Sequence, residues 1–181
     1  MTPYWDPLPT LRRLLAGETL GHPSSARWDA RNPLNVPGPI YGADTDTCLT
    51  GPLHAASIVA CDLEGQEFVW RQPRTEAEVA LVKEAAWEEV FGGYACDGDE
   101  HWTPDLVRQW WARRDEVRGA VRAAAAEYRS ATGHHVYDLE RQCLADYLSY
   151  FDDGLEQYLR HYLLWLTERR IAEPGERLPA L

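Results

Sequence analysis

Ser57–Gly93 reads SIVACDLEGQEFVWRQPRTEAEVALVKEAAWEEVFGG, and within it the chain changes its period. It begins with β-branched and aromatic runs, Ser57–Cys61 and Glu67–Arg71, that flank a loop containing Gly65, which predicts a β-hairpin. A lone hairpin is marginal in water, so it needs a third strand or a helical cover. Gly38–Gly42, GPIYG, can supply that strand. After Pro73 the pattern turns helical. Thr75–Glu78, TEAE, is a capping box in which the Thr75 hydroxyl and the Glu78 carboxylate each satisfy an orphan backbone donor. Val79, Val82, Ala86 and Val90 then share one stripe until Gly92-Gly93 ends the helix.

Toward the C-terminus, Thr103-Pro104-Asp105 supplies an N-cap, a proline at the first helical position and an acid at the positive end of the dipole. That second helix runs through Leu106, Trp110, Val117, Val121, Ala124 and Tyr128, with Gly119 a weak point. A third carries Val136, Leu139, Cys143, Tyr147 and Phe151, and a fourth Leu155, Tyr158, Leu159, Tyr162 and Leu166. Toward the N-terminus the chain is rich in Pro and Gly, with one short helix expected at Pro9–Ala16 before a Gly17 stop. The expected fold is α+β and mostly α-helical. A four-helix C-terminal layer packs on a small, irregular N-terminal region containing the hairpin. The expected organisation is one domain over 1–181, with 1–74 irregular, 75–172 helical and 173–181 a tail; a boundary near 74 is the alternative.

Composition narrows the function. With 45% hydrophobic residues and 8 Trp, the chain has the apolar surface to form a packed core. Its formal charge of -11 argues against a nucleic-acid backbone or an anionic membrane as partner, since both need Lys/Arg patches. Cys48, Cys61, Cys96 and Cys143 lack the close spacing of zinc, iron–sulfur or redox motifs. Neither a signal segment nor an apolar run of membrane length is visible, so the expected compartment is cytoplasmic. Walker, GxGxxG, GxSxG and HExxH motifs are absent. Lys83, the sole lysine, falls mid-helix on a polar face.

Two loops concentrate chemistry. In Gly92–Pro104, GGYACDGDEHWTP, a thiol, three acids and an imidazole occupy Cys96–His101. The spacing is not an EF-hand, because His101 and Trp102 stand where an acid and a glycine are required. As a transition-metal loop, Cys96, Asp97, Asp99 and His101 are competent ligands and His134 or His135 can complete the sphere, with Glu100 or Asp46 as general base toward bound water. The alternative is that these acids precede a helix whose free amides and dipole hold them. In Tyr41–His54, YGADTDTCLTGPLH, Asp44-x-Asp46 resembles the acid pair of haloacid dehalogenase-type phosphatases. Cys48 in the fifth position, and the missing βαβ alternation, break that pattern. Cys48 with His54 fits a thiolate–imidazole pair, and a polar turn of Asx and Thr side chains fits equally. His161, Cys61 and Cys143 read as structural. Trp110 and Trp111 diverge on their helix, so one lies near the surface or lines a groove.

The segments NVPGPIYGADTDTCLTG, FVWRQPRTEAEV and GGYACDGDEHWTP resemble an uncharacterised actinobacterial protein family over most of residues 28–115. Some of its members carry the label ferredoxin, which the cysteine spacing here does not fit, and the resemblance implies no function or site. The expected function is that of an acidic, aromatic-rich protein-binding or regulatory protein of adaptor, inhibitor or immunity type. Tyr41, Asp44, Tyr94, Trp102 and Trp111 form its expected binding surface, a protein is its partner, and no cofactor is implied. The alternative is a small hydrolase or lyase assisted by a divalent metal, built where the Asp44–His54 and Cys96–His101 loops meet. Substrate and oligomeric state are not legible at this level.

Overall fold

The computed structural model describes residues 4–18, 20, 26–130 and 135–181. It is a mixed α+β fold, mostly helical, with a few short antiparallel strand pairs. The hairpin forms as expected: β2 (Val59–Cys61) pairs with β3 (Glu67–Val69), Ala60 opposite Phe68, around a turn where Gly65 takes a φ of 81°. Its alternation decides the core. Phe68 and Trp70 face one apolar cluster while Val59 and Val69 face another, as the two-residue period of a strand requires.

On the second side lie α1 (Leu8–Leu15), α2 (Gly51–Ala55) and α3 (Glu76–Glu88), with α3 packed on both of the others. On the first lie α5 (Pro104–Ala112), α6 (Arg114–Ser130), α7 (His135–Asp152) and α8 (Leu155–Glu168). There α6 runs along α7, and α8 meets α5 and α7. The hairpin is therefore covered by helices on both sides. β1 (Tyr41–Gly42) does not join it but pairs with β4 (Tyr94–Ala95), with α4 (Gly98–His101) following.

The reason is two buried amide side chains. The Asn35 carboxamide oxygen accepts from Gly42 N (3.0 Å) and Val69 N (2.8 Å), and its nitrogen donates to Gly42 O and Asn32 O. Gln72 accepts from Ile40 N (3.2 Å) and donates to Ile40 O (2.7 Å) and Val36 O. These side chains act as detached peptide groups, satisfying the backbone of a Pro-rich segment that forms no ladder of its own. A Cβ at Gly38 would strike Gln72 at 2.3 Å, so glycine is required there.

The helices differ from the expected pattern in detail. α3 ends at Glu88, not at Gly92-Gly93, because Glu89 turns inward; Val90 is 66% exposed rather than on the core stripe. Thr75 caps Glu78 N, but the Glu78 carboxylate accepts from Arg74 N (2.6 Å) and clamps Arg71, one position outside the standard box. The long second helix breaks at Arg113 (φ -95°, ψ 10°), not at Gly119, which lies exposed inside α6. No described helix is long and apolar enough to cross a membrane.

Candidate functional site

The two polar loops leave opposite ends of one strand pair. β1 and β4 run antiparallel, Tyr41 opposite Ala95, so the chain after Gly42 departs where Gly93 arrives, and the chain after Ala95 departs beside Pro39. The two loops therefore leave the strand pair in opposite directions.

In the first loop the acids are engaged by backbone amides. Asp46 is buried, and each of its oxygens accepts a backbone hydrogen bond, from Cys48 N (2.8 Å) and Val90 N (3.2 Å). Glu89, 0% exposed, accepts from Asp46 N (2.7 Å), Phe91 N (3.1 Å) and Gly93 N. Glu67, also 0% exposed, takes Gly51 N (2.6 Å) and the Tyr94 hydroxyl (2.6 Å). Its carboxyl is pushed up to about 7 by burial, with Asp46 and Glu89 adding to the effect. These three carboxylates knot α2, β3, β4 and the end of α3 together. Cys48 is exposed, and the neighbouring Asp46 carboxylate raises its thiol pKa, the opposite of what a thiolate nucleophile needs. His54 is exposed on α2.

In the second loop the acids are held by side chains, not by the amides expected at a helix entrance. Tyr41 donates to Asp97 Oδ1 (2.8 Å), and His101 Nε2 lies 3.1 Å from Asp97 Oδ2. The His101 ring stacks on Trp28 at 4.8 Å. Asp99 turns away to α8, accepting from the Tyr162 hydroxyl (2.7 Å) and Trp165 Nε1 (3.0 Å). Asp97 and His101 thus pair with each other while Asp99 is engaged by α8, and Glu100 is exposed on α4. His134 lies outside the described residues. Among the described residues no group of three or more His, Cys, Asp or Glu side chains is arranged to hold a metal ion.

The expected binding surface is mostly interior. Tyr41, Tyr94 and Trp102 are buried, because the strand pair that places the first two is itself covered and Trp102 packs edge-on against Trp28. Asp44 remains exposed. Trp111 is half-buried, with the Arg114 guanidinium 4.8 Å above its ring.

A cleft of about 420 Å³ opens elsewhere, where the N-terminal arm and the segment after β3 meet α7 and α8. Trp5, Trp70 and Tyr158 are among its walls, and its charged lining is Arg71, Arg74, Asp146 and Asp153, with Arg71 spent on Glu78. Tyr150 is 6% exposed, and its buried hydroxyl has the Arg74 guanidinium as neighbour but no acceptor for its own proton. Burial raises its pKa, and Arg74, 5.3 Å from the ring centroid, pulls the other way. His161 is kept neutral: burial lowers its pKa, with Arg160 adding to the effect. The Gln157 amide nitrogen lies 3.1 Å from His161 Nε2. With that amide nitrogen as donor, Nε2 accepts and the Nδ1–H tautomer is the one that fits. That Nδ1 is also buried without a partner. Two residues of the cleft wall, Tyr150 and His161, thus carry polar atoms that are buried beneath its surface without an acceptor, an anomaly in a folded interior.

Comparison with models of known protein families, with curated proteins and with solved structures finds no match. Little in the sequence announces the cleft, since Trp5, Trp70, Arg74, Tyr150 and His161 are scattered along it. His161 falls between an apolar stripe and a charged face, and that position is its one signal.

Proposed function

We propose that this chain is a protein-binding or regulatory protein whose recognition element is the Trp70–Tyr150–His161 cleft. The supporting observation is the pair of unspent donors in an aromatic-walled groove. Each lacks an acceptor that a bound peptide carbonyl supplies, and leaving such groups unpaired costs about 1–3 kcal/mol apiece. Trp and Tyr walls provide rigid contact area at small entropic cost. Asp146 and Asp153 at the rim, on a chain of net charge -11, favour a partner segment carrying Lys or Arg beside an apolar residue. This reading replaces the expected surface around Tyr41, Tyr94 and Trp102 with a different patch joining acids to aromatics.

The test is a set of short synthetic peptides with basic–aromatic, acidic–aromatic and neutral sequences, followed by Trp fluorescence. Basic–aromatic peptides are expected to bind saturably. Tyr150→Phe and the double change Asp146→Asn, Asp153→Asn should each weaken them about tenfold, equivalent to about 1.4 kcal/mol. Equal binding of all charge classes, or affinity untouched by both variants, rejects the cleft as the recognition element.

A further inference from the structure

A second, smaller pocket carries a different chemistry. It encloses about 170 Å³ between the segment after the Trp28–Ala30 turn and the facing sides of α5 and α6. Its lining includes Arg31, Trp102, Trp110 and Arg113 and contains no Asp or Glu. In a chain with 29 acidic and 18 basic residues, a concavity with two guanidiniums and no carboxylate runs against the average.

The Arg31 guanidinium is fixed by aromatic rings, 3.9 Å above Trp28 and 5.5 Å from Trp102. One of its nitrogens donates to Trp28 O (2.9 Å). Among the described residues no carboxylate forms an ion pair with it. Burial lowers its pKa, so its charge is held at a cost that nothing nearby offsets fully. Trp110 stacks on Phe151 (6.4 Å), and its indole N–H is buried with no acceptor. Arg113 binds Glu116 through Nε (2.9 Å). The two asparagines lining the pocket are spent on the fold, Asn32 on Asp62 and Leu34 N, Asn35 on the strands. What is left over is a set of donors only: the edges of two guanidiniums, one of them already holding Glu116 through Nε, and beneath them a covered indole N–H with no acceptor.

We infer that this pocket binds a small oxyanion, either a tetrahedral phosphate or sulfate or a carboxylate group. Arg31 and Arg113 supply charge-assisted hydrogen bonds and the Trp110 indole a neutral one. Guanidinium forks match the paired oxygens of such groups, and a donor-only indole can take an anion's lone pair. The volume admits the anion itself and little more.

The test follows the indole N–H resonances of the ¹⁵N-labelled chain during titration with sodium phosphate, sodium sulfate and sodium acetate, with sodium chloride at matched ionic strength. The Trp110 resonance is assigned as the one missing in Trp110→Phe. It is expected to move saturably with an oxyanion and not with chloride. Phosphate or sulfate alone marks the tetrahedral source; acetate alone marks the carboxylate. Arg113→Gln, whose side chain is 69% exposed and so leaves the fold intact, should weaken binding about tenfold. Arg31→Lys keeps the charge but loses the fork and should weaken it comparably. A Trp110 resonance that does not titrate, that answers chloride equally, or whose titration ignores Arg113→Gln overturns the inference.

Discussion

Glu140 accepts one backbone hydrogen bond and has a second oxygen with none. It is 0% exposed on α7; Oε2 takes Cys61 N (3.0 Å), and Oε1 is unpartnered. Burial pushes its carboxyl up to about 7, against about 4.3 for a free glutamate. Between those values the unfolded chain has already lost the proton that the folded chain keeps. Stability therefore falls as pH rises from about 4.3 to 7 and levels off above, by a few kcal/mol at most, since one pKa unit is worth about 1.4 kcal/mol. Glu67, also raised to about 7, adds in the same direction. Urea unfolding at pH 5, 6, 7 and 8 should show that decline in the native sequence. Glu140→Gln should flatten it and be more stable than the native chain at pH 8 by about 1–3 kcal/mol. An unchanged pH slope in that variant shows that Glu140 does not titrate in this range. Nothing local marks Glu140 as buried, because its partner Cys61 lies 79 positions away.

At the level of elements, two ways of ending backbone hydrogen bonding can be compared. Thr103 caps α5 by accepting from Leu106 N (3.2 Å) at an exposed site, where water can replace it. Gln72 satisfies Ile40 and Val36 in the interior, where nothing can. Thr103→Ala should cost about 1 kcal/mol. Gln72→Leu, with three buried backbone bonds lost, should cost about 2–4 kcal/mol. Urea midpoints at pH 6 compare them, and the reverse order contradicts the role given to Gln72. The cap at Thr103 was legible because caps are encoded within four residues. Gln72 was not, since a glutamine after a strand carries no local sign of the loop it serves. The break at Arg113 escaped for a related reason: Gly119 has the poorer helix propensity, yet it sits in solvent within α6, and propensity is a weak prior beside packing.

For the whole molecule, the hairpin is the shared wall of two apolar clusters, with Phe68 and Trp70 on one and Val59 and Val69 on the other. Pairings also cross the compositional boundary near residue 74: β1 with β4, α2 with α3, and β2 with α7. Unfolding is therefore expected as one transition, with near-ultraviolet and far-ultraviolet circular dichroism superimposable against urea. Two separated transitions would mean that the clusters fold independently and that residue 74 marks a true boundary. Local patterns were enough for the class: hairpin, capped helices, apolar stripes and a mostly helical α+β chain. Each of those follows from interactions within a few residues, where period and cap chemistry act. Long-range packing was needed to separate the two acidic loops, to place Tyr41, Tyr94 and Trp102 in the interior, and to gather the unspent donors at Tyr150, His161 and Trp110. Burial and desolvation depend on neighbours dozens of positions distant, and it is desolvation that turns an ordinary side chain into a carboxyl near 7 or a buried donor without an acceptor.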